Sequence, residues 1–161
     1  MNATFESPAP ATQPKAGKPA KRRILLADDD PAIRQILRRL LERENYCVLT
    51  AANGAEAVEL AATKVDLALL DLSMPVKDGW ETFKQLSTEN PSLPIILMTA
   101  RPNQFFPALA SGVRALLEKP LDLEKLLPTI KNLLEETVET RRARFTKGGS
   151  AFSHVPPQAL A

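Results

Sequence analysis

The chain has 161 residues, 44% hydrophobic and 25% charged, with a formal net charge of +2. That balance suits one globular domain with its own core, and no stretch nears the roughly 18 apolar residues of a membrane helix. The charge is uneven: residues 1–23 carry +4 and residues 139–161 carry +3, which leaves the body at −5 and excludes a basic nucleic-acid-binding domain.

The single cysteine, Cys47, excludes an internal disulfide and a cysteine-built zinc centre. Its place inside a strand predicts a small buried hydrophobe. No apolar run follows the basic N-terminal residues, so no signal peptide is read there, and a reducing cytoplasm is the expected setting. Residues 1–21 are rich in Pro, Ala, Thr, Ser and Lys and are expected to be a disordered basic tail.

Structure is predicted to begin with a strand at Ile24–Ala27, running into Asp28-Asp29-Asp30-Pro31. Asp30-Pro31 is a helix start, a capping carboxylate followed by proline at the first helical position. Ile33, Ile36, Leu37, Leu40 and Leu41 then recur at helical spacing as one apolar stripe. A strand at Tyr46–Ala51, the turn Asn53-Gly54 and a helix over Ala55–Thr63 follow. Val65–Asp71 is a short apolar run closed by Ser73-Met74-Pro75, the pattern of a strand buried on both faces.

After a loop carrying Pro75, Asp78 and Gly79 come a short helix over Trp80–Thr88 and a strand over Pro94–Ala100. Pro102 and Pro107 limit any helix in Arg101–Ser111 to a short one, with Pro107 tolerable only in its first turn. Val113–Glu118 is a fifth strand. Asp122 caps a last helix in which Pro128 should produce a kink or a shifted start. Periodicity fades near Arg141, so residues 22–140 read as the domain and 141–161 as a flexible tail. Strand and helix patterns alternate five times, which calls for a doubly wound parallel α/β sheet with right-handed crossovers.

In such a sheet the carboxyl ends of the strands share one edge, where functional groups gather. The first strand ends in Asp28 and Asp29, the third in Asp71, the fourth in Thr99 and the fifth in Lys119. Each has an ordinary explanation alone: a helix cap with extra charge, a loop-entry Asp, a strand Thr, a solvated Lys. Their joint position argues for chemistry. Crowded carboxylates raise one another's pKa unless a cation intervenes. Oxygen ligands suit Mg²⁺, a lysine suits a phosphoryl oxygen, and a remaining carboxylate can act as nucleophile. The set fits phosphoryl transfer onto an aspartate.

Through Ile24–Pro31, Asn53–Ala57, Asp71-Leu72-Ser73-Met74-Pro75 with Asp78-Gly79, Met98-Thr99-Ala100 and Glu118-Lys119-Pro120, residues 22–138 resemble the receiver domain of two-component response regulators. The resemblance implies a flavodoxin-like fold of five strands in the order 2-1-3-4-5. It implies that Asp71 accepts a phosphoryl group from a histidine kinase or histidine phosphotransfer protein. Asp28, Asp29, Asp71 and the backbone carbonyl of Ser73 would hold Mg²⁺ (or Mn²⁺). Lys119 would pair with the phosphoryl group ahead of a cis Lys119–Pro120 bond. Thr99, with Ala100 beside it, would move toward the phosphoryl oxygens. Phosphorylation would then switch the face built from the fourth helix, fifth strand and fifth helix, for a downstream protein that the sequence does not name.

Two departures stand out. The family often has an aromatic switch residue three positions before the lysine, where this chain has Leu116, and Phe105 and Phe106 are candidates to replace it. The interval from Thr99 to Lys119 is also short, which predicts a reduced fourth helix. No output domain is read after the last helix, so a stand-alone signalling phosphoacceptor, not a turnover enzyme, is expected, with no nucleic-acid contact and no membrane insertion. The alternative is a non-phosphorylated interaction module of the same fold. A haloacid-dehalogenase-type phosphatase needs an acid where Ser73 stands. A flavodoxin-like cofactor binder needs a phosphate-cradling loop where the three aspartates stand. His154, the only histidine, is placed in the disordered tail, away from any site.

Overall fold

The computed structural model describes residues 20–101, 103–136 and 152–158. The expectations for the first 19 residues and for 137–151 fall outside them. In chain order the elements are β1 (Arg23–Ala27), α1 (Pro31–Arg43), β2 (Cys47–Ala51), α2 (Gly54–Ala61), β3 (Leu67–Asp71), α3 (Gly79–Glu89), β4 (Ile95–Thr99), α4 (Phe105–Ser111), β5 (Ala115–Glu118), α5 (Leu123–Glu135) and β6 (Ser153–Val155).

Each of the four longer crossovers starts where a side chain satisfies the orphan N–H groups of a helix's first turn. Asp30 accepts from Ala32 and Ile33, Asp78 from Glu81, and Asp122 from Glu124 and Lys125. Asn53 forms a reciprocal box: its side chain accepts from the Glu56 N–H at 3.0 Å, and Glu56 accepts from the Ala52 N–H at 2.8 Å. α5 starts at Leu123 despite Pro128, so the proline does not shift the start. α4 has 7 residues, with Pro107 in its first turn, where a proline is tolerated, and no side-chain hydrogen bond at its cap.

All strand pairs are parallel, in the order β2-β1-β3-β4-β5-β6. The first five follow the expected 2-1-3-4-5. Successive strand residues point to opposite faces, so the apolar runs fill two cores. Leu25, Ala68, Leu70, Leu97 and Leu116 pack beneath α2, α3 and α4 with Ala57, Phe83, Leu86 and Ala108. Ile24, Leu26, Leu69, Ile96 and Leu117 pack beneath α1 and α5 with Leu37, Leu41, Leu126 and Ile130. Ile36, assigned to the apolar stripe of α1, is 58% exposed.

Two expectations need correction. Cys47 is exposed, at the first position of β2, the outermost strand of the sheet. The tail expected to be flexible over 141–161 is ordered at 152–158, where β6 adds a sixth strand beside β5. No helix among the described residues is long and apolar enough to cross a membrane.

Candidate functional site

The register of the sheet assembles the site. Ala27 lies opposite Leu70, Asp71 opposite Met98, and Thr99 opposite Glu118, so the ends of β1, β3, β4 and β5 are level. Asp28, Asp71 and Thr99 are buried, and Asp29 is exposed at the mouth. One carboxylate oxygen from each of Asp28, Asp29 and Asp71 lies within 4.8 Å of the others. The Lys119 ammonium reaches in from β5, 2.7 Å from Asp28 Oδ2 and 3.3 Å from Asp71 Oδ2.

The surrounding backbone fixes these groups. Asp28 Oδ1 accepts the Asp30 N–H at 2.9 Å, and the Arg34 guanidinium donates to the Asp28 carbonyl at 2.5 Å. The Ser73 N–H donates to the Asp71 carboxylate. Gly79, first in α3, lets that helix approach the end of β3: a Cβ there would lie 2.2 Å from the Asp71 carbonyl oxygen. The Lys119 N–H donates to the Thr99 carbonyl at 2.7 Å, and the Lys119–Pro120 bond is cis.

Burial pushes the Asp71 carboxyl above the ordinary aspartate range. Lys119 pulls it down and the Asp28 charge pushes it up, and burial prevails. A raised pKa so near an ammonium is consistent with the geometry, because Lys119 sits closer to Asp28 and shares its charge. For Lys119 burial acts downward, but the bond to Asp28 and the charges of both acids overcome it, and its pKa is raised. The site is thus a crowd of acids held by one cation, with oxygen donors disposed for a hard divalent ion.

The remaining candidates are less uniform. The Thr99 hydroxyl lies at the same edge and accepts the Arg101 N–H at 2.9 Å. Ala100 follows it and is exposed. Ser73 is half-buried, two residues beyond Asp71. Leu116 is fully buried within the sheet. Phe105 opens α4, its ring edge-to-face with Phe152 at 5.5 Å. The side chain of Phe106 lies outside the described residues.

Sequence reasoning missed the C-terminal contribution. His154 does not lie in a structureless tail; it pairs with Glu118 at 2.9 Å, next to Lys119. Its only sequence signal was the run Phe152–Val155 between Gly148-Gly149-Ser150 and Pro156-Pro157, a strand-like stretch bounded by breakers.

A doubly wound parallel sheet with paired acids, a strand-end aspartate and a lysine at its carboxyl edge defines the class, and the comparisons agree. The pattern of the response regulator receiver domain matches residues 24–131. MprA of Mycobacterium leprae is 42% identical over 118 residues, covering 71% of this chain and 52% of the relative. A CheY-like receiver domain protein from Methanospirillum hungatei superposes with a TM-score of 0.69 at 30% identity, over 77% of this chain and 99% of that one. TrrA of Thermotoga maritima, solved in complex with Mg²⁺-BeF, gives a TM-score of 0.65 at 31% identity, over 70% and 98%. TrrA has also been solved in complex with the histidine kinase ThkA. The chain belongs to the response regulator receiver domain family. It spans between about a third and about a half of the length of the curated relatives it matches.

Proposed function

We propose that this chain is a phosphoacceptor of a two-component or phosphorelay system, with Asp71 as the residue that takes the phosphoryl group. The observation that carries the reading is the position of Asp71: buried, 3.3 Å from the Lys119 ammonium, and converging with Asp28 and Asp29. A phosphohistidine on a kinase or phosphotransfer protein is the proposed donor. An Asp71 oxygen attacks phosphorus, the new O–P bond forms as the N–P bond breaks, and the imidazole nitrogen keeps the electron pair. The complex of TrrA with ThkA supports a kinase partner.

Asp28, Asp29 and Asp71, with the backbone carbonyl of Ser73, are the residues that would hold Mg²⁺ or Mn²⁺. The convergence of their carboxylate oxygens fits such an ion, and TrrA with Mg²⁺-BeF supports the assignment. Bound there, the ion supplies charge neutralisation for the phosphoryl oxygens. Lys119 supplies the second positive charge from the protein itself. Thr99 gives up its bond to Arg101 to donate to a phosphoryl oxygen, beside the exposed Ala100, and so reports the new charge to α4 and β5. A two-state loop biased by added charge is sufficient for such a switch. Leu116 is packed too tightly to serve as the moving group, and Phe105 takes that role at the start of α4. The chain acts in the cytoplasm and promotes only its own phosphorylation and dephosphorylation.

Incubation with acetyl phosphate and Mg²⁺ is expected to add the mass of one phosphoryl group, and Asp71→Asn to abolish the gain. A wild-type chain that gains no mass would instead make the protein a receiver-shaped interaction module.

A further inference from the structure

β5 would be an outer margin of the sheet if the chain's own C-terminus did not cover it. Ala115 lies opposite Ser153, Leu116 opposite His154 and Leu117 opposite Val155. The covering segment grips both faces. Val155 is buried in the core beneath α1 and α5, and Phe152 packs against the opposite core. The His154 ring meets the Phe105 ring edge-to-face at 5.0 Å. Its two polar holds fall on either side of Lys119: His154 on Glu118 at 2.9 Å, and the Gln158 N–H on the Pro120 carbonyl at 2.9 Å.

We propose that Phe152–Gln158 is a removable strap. It fills the β5 margin and the flank of α4 in the resting chain, keeps a partner off that face, and lets go when charge is added at Asp71. The trigger rests on the phosphoacceptor reading; the strap itself rests on the contacts above.

Two features make the segment removable. Its ladder is 3 residues long and Val155 is its only buried side chain, while seven residues must be ordered to hold it. Segments with few buried apolar contacts open first. The route from the site is short. Lys119 bonds to both acids through its ammonium and to Thr99 through its N–H, and Thr99 pairs with Glu118 in the ladder. A phosphoryl group on Asp71 draws the ammonium away from Asp28. The backbone of residues 118–120 follows, carrying with it the Glu118 carboxylate that His154 holds and the Pro120 carbonyl that the Gln158 N–H holds. Coupling of this kind is reciprocal, so loosening the strap must shift the ligand affinity of the acidic site.

The test uses the full chain and hydrogen exchange read by mass spectrometry, with and without acetyl phosphate and Mg²⁺. In the loading step the Asp71 O–P bond forms as the donor's acyl O–P bond breaks, and acetate leaves with the electron pair. Loading of Asp71, read as mass gain, is expected to speed exchange in the 152–158 segment at least tenfold while β1 and β3 keep their protection. Val155→Asp removes the buried anchor, and Gln158→Pro removes the N–H that donates to the Pro120 carbonyl. Both are expected to expose the segment without loading and to change the Mg²⁺ dissociation constant at least threefold. A loaded chain whose strap exchanges at the resting rate overturns the proposal and leaves the phosphoacceptor reading intact. A chain that gains no mass sinks that reading, and the strap is then judged on the Mg²⁺ titration. There, equal affinities in wild type and both variants overturn it, and unequal ones support it.

Discussion

At the scale of single residues, Asp71 trades stability for reactivity. Its folded-state pKa lies above the unfolded value because burial outweighs the pull of Lys119. Such a group favours folding below its unfolded pKa and loses that contribution as pH rises through the raised folded value. In metal-free buffer at neutral pH the charged Asp71 is therefore a burden. Asp71→Asn keeps the shape and removes the charge, so its Tm is expected to exceed that of wild type at pH 7, with the gap closing on acidification. Thermal scans showing the Asn variant less stable at neutral pH would contradict this. Lys119 follows the same sign in a higher window: its raised pKa keeps its contribution through the neutral range, and the loss comes only in alkali.

Val76 is a second residue held against its preference. Its φ is 67°, and the Lys77 N–H bonds back to the Pro75 carbonyl at 2.7 Å, closing a γ-turn with positive φ. A β-branched side chain is poorly suited to that region, and at 87% exposure it gains nothing from burial. Val76→Gly is expected to stabilise the fold by about 1 kcal/mol in urea denaturation, since glycine has no Cβ to strain at positive φ.

At the scale of elements, the contact between α3 and β3 sets where Asp71 sits. A Cβ on Gly79 would lie 2.2 Å from the Asp71 carbonyl oxygen and 2.6 Å from Leu72 Cα, both backbone atoms that cannot swing aside. Gly79→Ala is expected to displace the strand end and slow loading from acetyl phosphate at least tenfold. Gly112 makes the contrast. It ends α4 at φ 78° with open space around it, so Gly112→Ala should cost about 1 kcal/mol of stability and leave loading unchanged. Equal loading defects in the two variants would show that the close approach at Gly79 is not what matters.

The helix starts at Asp30 and Asp122 were legible in the sequence because capping is a local matter of one side chain and the N–H groups just after it, while the caps Asn53 and Asp78 were read only as turn and loop residues. The shortness of α4 was legible for a similar reason, since Pro102 and Pro107 act on their own neighbours. The burden of packing is not local. Ile36 fits the stripe of α1 by spacing yet is exposed, while its neighbours Ile33, Leu37, Leu40 and Leu41 take the face against the sheet.

Across the whole molecule, the apolar strand runs and their polar ends made the sheet and its acidic edge readable, while the order of the strands came from the resemblance. What stayed hidden depends on which strands are outermost. Cys47 was misjudged because nothing in its neighbourhood marks β2 as a margin. β6 was missed because its strand-like run is too short to stand by itself and is held by pairing with Ala115–Leu117, far back along the chain. Asp28, Asp29, Asp71 and Lys119 converge as the strand pattern implied, with Thr99 at the same edge, because a parallel sheet places like ends together.

The added strand also decides how copies of this chain can meet. A parallel sheet has two unlike rims, and the bare rim of β5 on one copy would match the bare rim of β2 on the next, an addition with no natural end. With β6 in place, the far rim is three residues long and runs into Pro156 and Pro157, which have no N–H to offer a newcomer. Prising it off should therefore let copies of the chain add to one another, and light scattering of Val155→Asp at rising concentration is where such growth would first be seen.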